Sequence, residues 1–183
     1  MDPLEELVEL VKRWKKRVNI TGAKTREEIT RELILDSLKP LEFGLIESPV
    51  LDAGCGAGFP TLPLAVRAPE VNFVAVDSNR KKINFLKEAI RRLNLQNVEA
   101  VRERIENLEH LHGRFKTVLS KAFLPPEEAL VLLRPFLAPG GKLIVYSTPD
   151  AAKNIGKEPH YRRVDTVGYL LGDRKRCLIV ALT

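Results

Sequence analysis

The sequence predicts an α/β protein: an open, doubly wound, mostly parallel sheet closed by an antiparallel last strand and preceded by a small helical extension. Three observations carry this expectation. After Ser48-Pro49, short apolar runs alternate with stretches of helical periodicity. The first run opens directly into the glycine-rich loop Gly54-Cys55-Gly56-Ala57-Gly58, and the last two segments alternate polar and apolar residues as a closing antiparallel pair does.

The elements follow in order. Asp2 can cap a helix with Pro3 at its first position, and Leu4, Leu7, Val8, Val11, Trp14 and Val18 then recur at helical spacing, ending before Gly22. Thr25 and Glu28 form the spacing of a capping box for a second helix, which carries Ile29, Leu33 and Ile34 and is expected to run until Pro40. Residues 1–47 therefore read as a helical extension and residues 48–183 as the main domain. Val50-Leu51 begins the first strand; Phe73 to Val76, Val98 to Val101, Thr117 to Leu119 and Leu143 to Tyr146 supply four more. Helical stretches such as Lys81 to Leu93 and Glu127 to Leu137 lie between them. Gly140-Gly141 is expected to mark a turn into the fifth strand, and Tyr161 to Val167 with Arg174 to Leu182 to form the closing pair.

At 183 residues and 44% hydrophobic, the chain can bury one sizeable core and is too short for two full-sized domains. It has no apolar run long enough to span a membrane and starts with acidic residues, so a soluble, cytoplasmic protein with no membrane partner is expected. A monomer is a separate expectation. Cys55 and Cys177 match neither a zinc site nor a redox pair, and no metal is expected. The net charge of +6 admits a polyanionic partner without establishing one. The excess is uneven: residues 80–104 carry eight Lys/Arg against three Asp/Glu, and residues 151–183 carry seven against three, whereas residues 1–48 carry nine against ten.

In an open α/β sheet, ligands bind beyond the carboxyl ends of the strands, which places Asp52-Ala53-Gly54-Cys55-Gly56-Ala57-Gly58-Phe59-Pro60 at the binding edge. Glycines at 54, 56 and 58 let the backbone turn tightly and approach a ligand. The spacing differs from the dinucleotide fingerprint, because the third glycine comes one residue early and Asp52 precedes the first. A carboxylate there suits a cationic, phosphate-free ligand, and S-adenosylmethionine, with an ammonium and a sulfonium, fits that description. Asp77 ends the second strand where a carboxylate accepts ribose hydroxyls; its bland alternative is a helix cap, since Ser78-Asn79 stand at a strand-to-helix junction. Cys55, inside the loop, reads as a small packing residue.

The same loop joins further local elements: Asn19-Ile20-Thr21, Ile34-Leu35-Asp36-Ser37-Leu38, Asp77-Ser78 followed by Lys81-Lys82-Ile83-Asn84-Phe85-Leu86, and Ser120-Lys121-Ala122-Phe123. Together, over nearly the whole chain, they resemble the bacterial small-subunit rRNA guanine-N7 methyltransferase family, also called glucose-inhibited division protein B. The resemblance implies a class I, Rossmann-like methyltransferase fold, S-adenosyl-L-methionine as cofactor, 16S rRNA or the small ribosomal subunit as partner, and N7 of one guanine as acceptor. It further implies that Gly54 and Phe59 contact the cofactor, that Asp77 and Ser78 lie beside it, that Ile105-Glu106 flank its adenine, and that Lys121 falls near cofactor and target. Lys121 stands where the family usually has an arginine, and Leu33 where it commonly has a histidine. Lysine keeps the charge and loses the planar fork.

Guanine N7 carries an in-plane lone pair, so methylation there needs no general base, and an obvious catalytic constellation is not expected. A pyrimidine-C5 enzyme would need a cysteine nucleophile, and neither cysteine is placed for one. Enzymes acting on exocyclic amines resemble one another in an Asn/Asp-Pro-Pro-aromatic run, and that place here reads Ser120-Lys121-Ala122-Phe123, with Lys121 as the candidate on the target side. Lys12-Arg13-Trp14-Lys15-Lys16-Arg17, Arg80 to Lys82 and the basic residues near the end are either solvated faces or RNA contacts. His110, His112 and His160 read as structural or surface residues. Two other readings stay open: a methyltransferase with a small-molecule or protein substrate, and a ribosome-assembly module that binds RNA without chemistry.

Overall fold

The computed structural model describes all 183 residues. Successive side chains of a strand point to opposite faces, so the near-continuous apolar runs of the central strands give the sheet two buried faces and with them three layers. Helix α1 (Pro3–Lys15) is followed by the short helix α2 (Arg26–Glu28), a π-helical stretch over Ile29–Leu35, and α3 (Lys39–Glu42). Then β1 (Val50–Ala53), α4 (Thr61–Arg67), β2 (Phe73–Asp77), α5 (Arg80–Arg92), β3 (Val98–Arg102) and β4 (Phe115–Ser120) alternate, with two single 3-10 turns before β4. Helix α6 (Pro126–Leu132), a 3-10 turn, β5 (Leu137–Ser147), α7 (Pro149–Lys153), β6 (Arg163–Leu171) and β7 (Arg174–Leu182) complete the chain.

The strand order is β3-β2-β1-β4-β5-β7-β6; β1 to β5 are parallel, and β7 is antiparallel to both β5 and β6. The order reverses between β1 and β4, so the loops leaving these two strands splay apart and open a crevice at the carboxyl edge. All four residues of β1 are buried, as a strand covered on both faces requires. On one face Leu51, Ala53, Val76, Val118, Leu143 and Val145 pack under α6. On the other, Val50, Phe73, Leu119, Ile144 and Leu178 pack under α4.

The N-terminal residues do not pack as a separate body. Leu7, Val8, Val11, Ile20, Ile29 and Ile34 share one apolar cluster with Cys55, Ala57 and Phe59 of the glycine loop and with Ile83, Phe85 and Leu86 of α5. Trp14 meets Phe85 edge-on, with ring centroids 5.5 Å apart, and its Nε1 donates to Glu88 at 3.2 Å.

The structure departs from the sequence expectations at several places. The first helix stops at Lys15, short of Val18, and the stretch Glu127 to Leu137 divides into α6, a 3-10 turn and the first residue of β5. The Asp2 carboxylate makes no capping bond and faces Arg67 instead, at 3.3 Å, although Pro3 does open the helix. Thr25 Oγ1 accepts from the Glu28 N–H at 3.1 Å, but the Glu28 carboxylate accepts from the N–H of Lys24 at 2.6 Å, closing the box one residue early. The second helix does not run to Pro40: it widens into the π-helical stretch, and Pro40 sits inside the first turn of α3, where its missing N–H has no partner to lose. Gly140-Gly141 lies within β5 at a shift of register against β4, between the pairs Leu137–Phe115 and Lys142–Thr117. A side chain on Gly141 would meet backbone carbonyls of Ala138 and Phe115 at 2.9 Å, so the bulge needs the missing Cβ.

Candidate functional site

The crevice is built by the loop after β1, the end of β2, the turn after β3 and the loop after β4. Gly54 has a φ of +66°, and a Cβ there would fall 2.2 Å from the ring of Phe123, which lies against it from the β4 side. The Gly56 N–H donates to Asp77 Oδ2 at 2.9 Å, and the Asn79 N–H to Asp77 Oδ1 at 2.8 Å. Asp77 thus ties the glycine loop to the end of β2, and the cap of α5 is the neighbouring Asn79, which accepts from the Lys82 N–H at 3.1 Å. Each carboxylate oxygen of Asp77 retains a lone pair for a further donor.

Two cavities meet over this loop. One, of about 260 Å³, is lined by Gly54, Asp77, Ser78, Ile105, Glu106 and Phe123, together with Glu103 and Arg104. The other, of about 310 Å³, is bounded by Gly56, Phe59, Thr21, Leu33, Lys82 and Lys121, and shares Gly54, Asp77 and Phe123 with the first. Of the ten residues the sequence nominated, eight line one or both cavities: Gly54, Gly56, Phe59, Asp77, Ser78, Ile105, Glu106 and Lys121.

The other two face elsewhere. Asp52, expected to meet a cationic ligand, is fully buried behind the loop and reaches neither cavity. Its Oδ2 accepts from Thr61 Oγ1 at 2.7 Å and from the Thr61 N–H at 3.2 Å, which anchors the start of α4; Oδ1 has no partner. Burial pushes its pKa up to about 7, against the two bonds from Thr61 and aided by the nearby Asp77. Gly58, at φ +103°, faces the core: a Cβ there would sit 2.7 Å from Leu86 and 2.9 Å from Leu62. The third glycine brings α4 and α5 together over the sheet.

Sequence reasoning missed a buried ionic cluster behind Lys121. The Lys121 ammonium lies 2.9 Å from Oδ2 of Asp36, donates to the Glu32 carbonyl at 3.3 Å, and stands 5.5 Å from the centre of the Tyr146 ring. Asp36 has no exposed surface; its Oδ1 accepts from the Tyr169 hydroxyl at 2.6 Å, and Arg176 approaches its Oδ2 at 3.8 Å. Tyr146 in turn donates to the Ser37 carbonyl at 2.8 Å. Burial, reinforced by the Asp36 carboxylate, drives the Tyr169 hydroxyl well above the usual tyrosine range, so it serves as a donor. The signal available in the sequence was a charged residue, Asp36, embedded in the apolar run Ile34 to Leu38; its partners come from the loop after β4 and from β6 and β7 and have no sequence proximity to it.

Cys55 and Cys177 are both free and buried, and burial raises the Cys55 thiol well above its ordinary range, as an inert packing residue requires. None of the three histidines borders either cavity. His112 packs edge-on against Phe136, and the carbonyl of His160 accepts from Arg134.

Comparison with known proteins agrees with this architecture. Solved structures that share the fold include a SAM dependent methyltransferase from Aquifex aeolicus (TM-score 0.65, 18% identity, 100% of both chains). Another is TYW2 of P. horikoshii in complex with MeSAdo (TM-score 0.60, 16% identity, 91% of this chain and 65% of that one). At these identities the likeness concerns the fold. Sequence relatives named ribosomal RNA small subunit methyltransferase G are found in Legionella pneumophila strain Lens (36% identical over 140 residues, 76% of this chain and 66% of the relative) and in Deinococcus deserti (38% over 155 residues, 81% and 63%). Another, from Geobacter sp. strain M21, is 32% identical over 156 residues, 85% of this chain and 72% of the relative. The chain spans about two thirds of the length of the first of these relatives. The profile of one family, rRNA small subunit methyltransferase G, matches residues 1–168, and with the crevice and loop described above it follows that the chain belongs to that family.

Proposed function

We propose that this chain binds S-adenosylmethionine across the two joined cavities and directs its methyl group to N7 of a guanine in 16S rRNA, free or in the small ribosomal subunit. The observation that carries this reading is the acid-rimmed double cavity centred on Gly54 and Asp77. Three carboxylates, Asp77, Glu103 and Glu106, border the smaller cavity against one arginine, Arg104. A pyrophosphate would be repelled there, whereas a neutral nucleoside attached to a cationic group is favoured.

In this reading Asp77 accepts the ribose hydroxyls, and the apolar side chain of Ile105 with the neighbouring Glu106 flanks the adenine. Gly54, Gly56 and Phe59 give the floor of the larger cavity for the amino-acid end. Bound S-adenosylmethionine supplies a methyl group made electrophilic by its sulfonium. The guanine edge presents N7 and O6 as adjacent acceptors, and the ammonium of Lys121 offers a donor to O6 that leaves the N7 lone pair free. No group of the chain has to remove a proton, which suits cavities without histidine and a Cys55 thiol kept neutral. The work of the chain is then orientation and exclusion of water. Ile20, Thr21 and Leu33 wall the larger cavity, so residues 1–47 act as the layer that closes it, over a methyltransferase unit formed by residues 48–183.

The test is transfer of labelled methyl from S-adenosylmethionine to unmodified 16S rRNA and to small subunits, followed by nucleoside analysis. A single 7-methylguanosine is expected. Cofactor binding with no label in either RNA would overturn the assigned substrate.

A further inference from the structure

The basic run at the end of α1 stands apart from the cavities just described. Its residues Arg13, Trp14, Lys16 and Arg17, with Val18 and with Glu88 of α5, line a third hollow of about 420 Å³. The cations of Arg13, Lys16 and Arg17 take part in no ion pair and no side-chain hydrogen bond, whereas neighbouring Lys12 is paired with Glu9. Glu88, the one acid in the hollow, is already engaged by Trp14 Nε1 at 3.2 Å and by Arg92 at 3.5 Å. Its charge is thereby committed, and the hollow presents three uncompensated cations around an indole. The indole itself is fixed on one side by Glu88 and by the edge-on contact with Phe85, so its position is set before any ligand arrives.

Uncompensated cations beside a fixed aromatic ring match a single-stranded nucleic acid, whose phosphates and base faces repeat side by side. A purely acidic partner would leave the ring unused, and an apolar one would leave the cations stranded. We infer that this hollow is a binding subsite for single-stranded RNA, seating a base against Trp14 and phosphates against Arg13, Lys16 and Arg17. The inference rests on the RNA-methyltransferase reading above and deepens it by naming a contact surface.

Its position agrees with that role. Lys82, which borders the larger cavity, and Glu88, which borders the hollow, lie on the same helix six residues apart, a rise of about 9 Å at ~1.5 Å per residue. That rise is comparable to about three stacked nucleotides at ~3.4 Å each, and because the two positions also lie about 120° apart around the helix it is the shortest that the path between the sites can be. On the other side, chain continuity takes Val18 of the hollow to Ile20 and Thr21 of the cavity. An RNA strand that presents a guanine to the cavity therefore passes the hollow with the nucleotides next to the target.

The experiment measures binding of a fluorescent single-stranded RNA and of 16S rRNA over a range of salt concentrations, in the wild type and in the triple variant Arg13→Gln, Lys16→Gln, Arg17→Gln. Loss of three phosphate contacts lowers the slope of log affinity against log salt by about 2, at ~0.7 per single-strand phosphate, and weakens binding by about tenfold at moderate salt. S-adenosylmethionine affinity stays unchanged, which reports an intact fold. Removal of three exposed charges elsewhere, Lys153→Gln, Lys157→Gln and Arg162→Gln, should leave the slope close to that of the wild type. Trp14→Phe should weaken binding severalfold with the slope unaltered. An RNA affinity and slope in the Arg13/Lys16/Arg17 variant equal to wild type, in a protein that still methylates rRNA, would overturn the subsite and leave the proposed reaction standing. Loss of RNA binding in that variant, with no methyl transfer to rRNA by the wild type, would retain the subsite and overturn the reaction; no RNA binding by the wild type would overturn both.

Discussion

Gly54 and Gly58 belong to one loop and carry the same side chain, yet alanine at the two positions should fail in opposite ways. At Gly58 the alanine must adopt φ +103° and place its Cβ 2.7 Å from Leu86 and 2.9 Å from Leu62, both of which are fully buried. The backbone conformation costs about 1–2 kcal/mol, and overpacking against side chains that cannot retreat costs roughly 1–3 kcal/mol more. A loss of about 4 kcal/mol is expected, read as a lower midpoint of urea unfolding with an unchanged slope. At Gly54 the backbone cost is the same, but the clash is with Phe123, which is only partly buried and borders both cavities. Phe123 can swing into that open space, so the stability loss should stay near 2 kcal/mol, while the displaced ring occupies the ligand's volume. Calorimetric titration should then show S-adenosylmethionine binding weakened by more than about thirtyfold, or some 2 kcal/mol. A Gly54→Ala protein that loses as much stability as Gly58→Ala and binds the cofactor normally would refute this assignment of the two glycines.

Three further outcomes follow from the buried groups. Asp36→Asn strips the compensating charge from Lys121 and Arg176 while keeping an acceptor for Tyr169; with the carboxylate buried and Lys121 14% exposed, unfolding should become easier by about 3 kcal/mol, and a shift equivalent to less than about 1 kcal/mol would show the cluster to be inconsequential. Asp52, with its folded pKa raised to about 7 from an ordinary 3.8, holds a proton in the native state that the unfolded chain has released, so it removes stability as pH rises from about 4 to 7; wild type measured against Asp52→Asn by urea unfolding should lose ground across that window by up to ~4 kcal/mol, and a constant difference would contradict a buried, protonated Asp52. Cys55, buried and with its thiol raised, should resist alkylation in the native protein at mildly alkaline pH and react on unfolding, and Cys55→Ala should retain methyl transfer; rapid native labelling would show the loop to be open.

The strands and the two long helices were legible because burial on a sheet face or a helix stripe imposes a period that survives in the residues themselves: Phe73 to Asp77 and the stripe of Ile83, Phe85, Leu86 and Ala89 are direct imprints of the core. The cavity-facing glycines were legible because their spacing is set by one local loop, and Asp77 because it closes the apolar run of β2. Pro40 misled, since a proline is equally at home at a helix start and after a helix end, and the π-helical widening before it has no compositional mark. Gly58 looked like Gly54 because sequence shows the absence of a side chain and not what occupies its place. Asp52 was legible as unusual and misread as ligand-facing: whether a carboxylate at the end of β1 turns toward a ligand or toward Thr61 is decided by the packing of α4, nine residues on. The Asp36 cluster was beyond reach, because Lys121 from the loop after β4, Tyr169 from β6 and Arg176 from β7 converge on it through the topology of the sheet.

The apolar cluster that Leu7, Val8 and Val11 share with Cys55, Ala57 and Phe59 has a thermodynamic corollary. A helix cannot peel away from that cluster without loosening the loop, so any ligand that holds the loop closed must, by reciprocity, raise the free energy of opening α1 by the same amount. Amide hydrogens of α1, which touch no cofactor, should therefore exchange more slowly when the loop is occupied, and the far end of α1 carries the hollow assigned to RNA. The first helix then serves as a beam between two binding events, and occupancy at either end can be read by isotope exchange in its middle.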